Sequence, residues 1–112
     1  MIDRPTSLPV VPELRFDLGR PDVADAARVG ALIGDPVRAG ILTILRDGPH
    51  CVCEMAAALG ERQNNVSNHL AKLRYAGLVR ASRHGADARW VYYERDEEAI
   101  TTAVSALRDV LG

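Results

Sequence analysis

The feature that most constrains this fold is a series of glycines, Gly48, Gly60 and Gly77, that divides the middle of the chain into short segments. Glycine commonly ends a helix because it accepts the left-handed conformation found there. The segments before these glycines carry apolar residues at helical spacing, whereas β-rich runs follow Gly77. The order therefore predicts short helices followed by a β-hairpin.

Capping residues place the first two helices. Asp22 can cap a helix over about 22–33, and Asp35 is a natural N-cap for a helix that starts at Pro36 and stops at Gly48. In this second helix four apolar residues share one face: Val37, Ile41, Leu42 and Leu45.

The later elements complete the pattern. A short helix over about 52–59 precedes a turn and a helix in "NNVSNHLAKLRYAG", and a hairpin follows over about 78–94. Asp96 then opens a C-terminal helix. We expect a mainly α fold with a β-hairpin (α+β), a winged helix-turn-helix with an extra helix at each end.

Two regions differ in composition. Residues 1–20 contain Pro5, Pro9 and Pro12 and no helical period, so we interpret them as an extended or disordered N-terminal arm. Residues 21–112 form the predicted winged helix-turn-helix domain.

Charge is unevenly distributed along a chain of net charge −1. Residues 61–90 hold six basic and two acidic side chains, whereas residues 91–112 hold two basic and five acidic ones. A basic segment of this kind is where a polyanion would bind.

In a helix-turn-helix the second helix enters the major groove of DNA. Amides can pair with adenine, and hydroxyls or lysines can bind phosphates or base acceptors. The candidate contacts in the predicted recognition helix are Gln63, Asn64, Asn65, Ser67, Asn68, His69 and Lys72. Arg83 and Arg89 flank the hairpin tip and could reach an adjacent groove. The alternatives are a solvated helix face and, for His69, a helix-packing role.

Four segments, "DPVRAGIL", "CVCEM", "NNVSNHLAKLRYAGLV" and "ARWVYY", closely resemble the ArsR/SmtB family of metal-responsive bacterial repressors over about residues 22–108. The resemblance implies a homodimer that binds double-stranded operator DNA and releases it when an inducer binds. It also implies a dimer interface formed by the first and last helices, with Ile100, Val104, Leu107 and Leu111 on the last one. Packing of these residues against the chain's own core is the alternative. The family commonly has Ser or Thr where Arg62 stands, so we expect Gln63 or Asn64 to cap the recognition helix instead.

The chain's two cysteines, Cys51 and Cys53, lie one residue apart where the short helix begins. A disulfide between them would close a strained ring. Thiolates select soft ions, and we expect the helix N-terminus to lower the thiol pKa values. The segment is also similar to the "CVCDL" of arsenic/antimony and cadmium/lead sensors, which implies a metal(loid) site.

The identity of the ion depends on which ligands the sequence supplies besides these two thiols. Many arsenic sensors of the family have a third cysteine where Ala56 stands, and cadmium/lead sensors use cysteines in an arm that has none here. The positions of a zinc-type site on the last helix hold no histidine, which argues against such a site. We favour arsenite or antimonite, with His50 as a possible third ligand. Cadmium, lead, copper(I), mercury, nickel or zinc through His50, and a structural or thiol redox-responsive pair, stay open.

Enzymes are disfavoured, because the sequence shows no phosphate-binding glycine loop and no nucleophile with a base at a recognisable spacing. With no organic cofactor, no signal peptide and no membrane span, we expect a cytoplasmic regulator that does not act at a membrane.

Overall fold

The computed structural model describes residues 14–82 and 90–112, and this part of the chain forms helices around a small sheet. The elements are α1 (Pro21–Ile33), α2 (Pro36–Ile44), α3 (Val52–Leu59), α4 (Gln63–Tyr75), β1 (Val79–Ser82), β2 (Tyr92–Arg95) and α5 (Glu97–Leu111). A 3-10 turn, Leu45–Asp47, continues α2. This order confirms the predicted winged helix-turn-helix with an additional helix at each end.

Helix α2 begins as the sequence predicts, but α1 and α4 do not. The Asp35 carboxylate accepts hydrogen bonds from the backbone N–H groups of Val37 and Arg38. By contrast, α1 follows Arg20 directly with Pro21 in its first turn, so the predicted Asp22 cap is wrong.

Helix α4 follows Arg62 without a side-chain cap. The expected capping by Gln63 or Asn64 is therefore also wrong. Its exposed N–H groups at this end remain available to another hydrogen-bond acceptor.

The core forms where α2, α3 and α4 meet. The most deeply buried side chains are those of Ile41, Met55, Val66, Leu70 and Leu73. Three of these belong to α4, so the apolar face of that helix is fully used in packing. The remaining, polar face of α4 is the one available to a partner.

The sheet is an antiparallel hairpin in which Val79 lies opposite Arg95 and Ser82 opposite Tyr92. The backbone of His50 joins it at the edge: its N–H donates to the Tyr93 carbonyl at 3.1 Å and its carbonyl accepts from Tyr93 at 2.8 Å. The residue before Cys51 is therefore fastened to the hairpin.

Helix α5 packs along α1 at the other end of the molecule. None of the α5 residues is fully buried in the single chain. Across residues 14–82 and 90–112, no helix is long and apolar enough to cross a membrane.

Candidate functional site

The two thiols lie side by side at the start of α3. Cys51 is the N-cap residue and Cys53 belongs to the first turn, and their sulfur atoms are 3.0 Å apart. Both cysteines are free; Cys51 is buried and Cys53 is half-buried. The structure therefore brings the two predicted sulfur ligands together without a disulfide between them.

The expected lowering of the thiol pKa is wrong for Cys51. Burial raises the pKa of its thiol to about 11, and the neighbouring Cys53 thiol and Glu54 carboxylate act in the same direction. The backbone N–H of Glu54 opposes these effects but does not outweigh them. Cys51 therefore carries its proton at neutral pH, and a bound ion must displace that proton.

Glu54 closes this end of α3. Its carboxylate accepts a hydrogen bond of 3.0 Å from the backbone N–H of Cys51, as in a capping box. That bond and the contact with the Cys51 thiol lower the pKa of Glu54. The Glu54 carboxylate therefore serves to cap the N-terminus of α3.

His50 does not complete a three-ligand site. Its Nδ1 atom lies 3.7 Å from the Glu54 carboxylate. Among residues 14–82 and 90–112, no three His, Cys, Asp or Glu side chains come together closely enough to hold a metal ion. The donor set present is two thiols, which suits an ion that accepts two sulfur ligands and completes its shell from solvent.

Most of the candidate DNA contacts in α4 lie on its exposed, polar face. Five of the candidates are exposed, namely Gln63, Asn64, Ser67, Asn68 and Lys72. Asn65 is half-buried, and its amide donates a hydrogen bond of 2.9 Å to the Glu61 carboxylate. This bond fixes the orientation of the Asn65 amide relative to the exposed face.

His69 turns away from that face, which corrects its assignment as a DNA contact. Its side chain is 14% exposed, and Nδ1 lies 2.9 Å from the Arg38 guanidinium. The helix-packing alternative describes this position. Arg83 and Arg89 lie outside the described residues.

The predicted dimer residues divide into two groups. Val104 and Leu111 are exposed, whereas Ile100 and Leu107 are half-buried and Ile100 packs against the core. A groove of about 580 Å³ runs between α1 and α5; apolar residues such as Val29 and Leu32 line it together with charged ones such as Arg28 and Glu98. The own-core alternative therefore describes Ile100, whereas a dimer surface formed by the exposed Val104 and Leu111 stays a prediction.

Sequence reasoning missed Arg38 and Glu61, which contact two of the candidate residues. Arg38 stands three residues before Ile41, on the half of α2 that faces the core, and a charged residue in that position signals a specific polar partner. Glu61 lies four residues before Asn65, a spacing that brings side chains together around a helix start.

The family described as "Bacterial regulatory protein, arsR family" matches residues 35–81, which contain α2, α3, α4 and most of β1. A solved structure, the transcriptional regulator HlyU from Vibrio vulnificus, is 32% identical, with a TM-score of 0.60 over 72% of this chain and 82% of that one. The chain belongs to the arsR family of bacterial regulatory proteins. The recognised resemblance is thereby confirmed, as is the expectation of a regulator rather than an enzyme.

Two curated relatives of this chain are both named as transcriptional regulators, and one of the names also refers to arsenic resistance. "HTH-type transcriptional regulator CmtR" from Mycobacterium tuberculosis is 45% identical over 64 residues, which is 57% of this chain and 54% of that protein. "Arsenic resistance transcriptional regulator ArsR1" from Pseudomonas putida is 39% identical over 80 residues, 70% of this chain and 60% of that protein. This arsR-family chain thus spans little more than half the length of either relative.

Proposed function

We propose that the chain is a homodimeric, DNA-binding transcriptional repressor that releases its operator when Cys51 and Cys53 bind a thiophilic metal(loid), arsenite or antimonite. The observation that carries the inducer site is the 3.0 Å approach of the two sulfur atoms. The named relatives support a regulator, and one of them is named for arsenic resistance. A repressor of this kind acts in the cytoplasm, beside the chromosome.

The separation of the thiols favours a pyramidal ion. With metal–sulfur bonds of about 2.3 Å, as for zinc, a tetrahedral ion needs sulfur atoms about 3.8 Å apart, whereas bonds at right angles need about 3.3 Å. The two free thiols, now in a 3.0 Å contact, need to separate by only about 0.3 Å to reach the second value. Trivalent arsenic and antimony form bonds near right angles, and two thiolates with one hydroxide complete their shell.

The position of the thiols suggests how they act on DNA binding. Cys51 and Cys53 begin α3, which packs against α4 and leads into it through Gly60, Glu61 and Arg62. On the other side, His50 is hydrogen-bonded to β2. Binding one ion between the two sulfur atoms moves them apart from their 3.0 Å contact and therefore changes α3 and the hairpin relative to α4. A difference in ion affinity between the two arrangements then releases DNA.

The proposed DNA binding is supported by the exposed face of α4. Its amides and hydroxyl present donors and acceptors suited to base edges, and Lys72 suits a phosphate. The Asn65 amide is held by Glu61 and keeps a second N–H and its oxygen for a base.

A thiol-redox repressor is the second candidate, and the same 3.0 Å approach favours it. Two thiols and one molecule of hydrogen peroxide would give one disulfide and two molecules of water. The attacking species must be a thiolate, however, and the raised pKa of Cys51 slows that step.

One titration separates these functions. DNA selected by the wild-type chain from random duplexes is labelled, and its anisotropy is followed while arsenite, antimonite, cadmium, lead, zinc, nickel or copper(I) is added. The reductant is a phosphine, because a dithiol would itself bind arsenite. We expect release by arsenite or antimonite from the wild type and from the control Ala57→Ser on the exposed side of α3, and no release from Cys51→Ser/Cys53→Ser.

A second variant tests whether the two functions are separate. Lys72→Ala should weaken binding to all duplexes and reduce the salt dependence by about one phosphate contact, while arsenite binding is unchanged.

Release of DNA from the Cys51→Ser/Cys53→Ser variant by arsenite would contradict the proposed ion site. In a parallel titration without the phosphine, DNA release by hydrogen peroxide that the phosphine later reverses, with no release by any ion, would favour the redox candidate.

A further inference from the structure

Arg38 joins two helices at the corner where α1 ends and α2 begins. Its Nε donates to the carbonyl of Leu32 and its Nη2 donates to the carbonyl of Ala31 at 3.3 Å. These are carbonyls of the last turn of α1, which contains no basic residue of its own. Arg38 therefore supplies both the hydrogen bonds and the positive charge that this helix end lacks.

The remaining arm of the same guanidinium reaches α4. Nη1 lies 2.9 Å from Nδ1 of His69, which is 31 positions away in the sequence. Because a guanidinium can only donate, Nδ1 accepts and the ring carries its proton on Nε2. That Nε2 faces the carboxylate of Asp35 at 3.8 Å.

Asp35 connects the His69 ring to the start of α2. Its carboxylate accepts from the N–H groups of Val37 and Arg38, and although partial burial acts in the opposite direction, these bonds lower its pKa. The end of α1, the start of α2 and the middle of α4 thus share one polar cluster of Asp35, Arg38 and His69.

Apolar packing between α2 and α4 holds these helices together and sets their approximate crossing angle. Hydrogen bonds depend steeply on angle and therefore narrow that crossing angle further. Helix α1, which packs along α5, receives two of the three Arg38 bonds, and α4 receives the third.

We propose that Arg38 and His69 are positioning residues that fix the angle of α4 relative to α1, and thereby the spacing at which the two recognition helices of a dimer meet DNA. This inference rests on the proposed function, since it requires a dimer that binds DNA. Neither residue needs to touch a base. Their effect is on the preferred separation of the half-sites.

The test uses the duplex selected by the wild-type chain and a second duplex with one base pair inserted between the half-sites. The insertion moves one half-site by about 3.4 Å and turns it by about 35°. We expect the wild type to prefer the selected spacing by at least about tenfold. His69→Leu removes the acceptor and should reduce this ratio below about threefold.

His69→Asn is the matched control, because its amide oxygen can stand close to where Nδ1 lies and accept from Arg38. We expect it to restore the wild-type ratio to within about threefold. A variant that merely loses stability weakens binding to both duplexes alike and leaves their ratio unchanged. Arg38→Lys keeps the charge but cannot serve all three acceptors, and it should lose the spacing preference even if His69→Leu does not fold.

The outcomes separate the two proposals. If the wild type prefers one spacing and both His69→Leu and Arg38→Lys keep that preference, the positioning role is overturned while the proposed function stands. A selected duplex with a single half-site also overturns it. If the wild type selects no duplex at all, the proposed function fails and the positioning role falls with it.

Discussion

At the scale of single residues, the raised pKa of Cys51 affects neutral and cationic ligands differently. A divalent cation binds a thiolate, so the proton of Cys51 must first leave to solvent. Arsenous acid, As(OH)₃, is uncharged at neutral pH and provides its own proton acceptors. Two S–H and two As–OH bonds break, two S–As bonds form, and two water molecules leave with no net release of protons.

This difference predicts two pH profiles for one site. Because burial holds the pKa of Cys51 at about 11, that thiol is protonated throughout pH 6 to 8. Cadmium affinity should rise with pH by at least about tenfold per unit, one decade for the Cys51 proton alone, whereas arsenite affinity should change little. Calorimetric titrations at pH 6, 7 and 8 measure both, with Cys51→Ser/Cys53→Ser as the blank. A tenfold rise per unit for arsenite would show that it does not bind by this exchange.

The residue scale is also where sequence reasoning reached its limit. That Cys51 and Cys53 lie together follows from their spacing at a helix start, but the pKa of Cys51 depends on burial that no local pattern reveals. His69 is similar: its place beside Leu70 is visible in the sequence, whereas its partner Arg38 is 31 residues away. Polar contacts between distant elements are tertiary, and a single sequence does not specify them.

At the scale of elements, local chemistry was a reliable guide because each helix end is built from neighbouring residues. Asp35 with Pro36 begins α2 and Gly60 ends α3, as predicted. The failures at Asp22 and Arg62 have the same origin, since several residues near a helix start can serve as the N-cap and packing selects one.

Gly60 ends α3 and begins the turn that leads into α4, so replacing it tests the backbone conformation of that turn. Its φ of 66° lies in the left-handed region, and the N–H of the next residue, Glu61, bonds back to the Ala56 carbonyl at 3.0 Å. Gly60→Ala should lower the free energy of unfolding by about 1–2 kcal/mol, because a Cβ is disfavoured in that conformation. Denaturant unfolding monitored by circular dichroism measures the change.

The control for Gly60 is Gly60→Asn, since asparagine tolerates the left-handed conformation better than alanine. We expect it to cost less than half as much as Gly60→Ala. Equal losses for both variants would mean that the side chain itself, and not the backbone conformation, causes the destabilisation.

At the scale of the whole molecule, the surface around α4 and the start of α5 differ in charge. Lys72, Arg62 and Arg74 are exposed on and beside α4, while Arg80 is neutralised by ion pairs with Glu94 at 2.9 Å and Asp96 at 3.4 Å. The first turn of α5 is acidic. An acidic helix is repelled by DNA, so α5 is suited to face away from it, on the side where we propose that the second copy binds.

The exposed part of the α5 stripe provides the test of that pairing. Val104 is 45% exposed and Leu111 is 81% exposed, and helical spacing places both on the same side of α5 as the half-buried Ile100 and Leu107. Val104→Glu would place two carboxylates in the interface of a symmetric dimer, and we expect the dimer dissociation constant to rise by at least about a hundredfold, equivalent to about 2.8 kcal/mol. Sedimentation equilibrium measures this constant directly. Ser105→Glu adds the same charge at the next, exposed position and should leave the dimer intact. If both variants remain dimeric and bind the selected duplex as the wild type does, the stripe is not the dimer surface and the two recognition helices must be paired by another face.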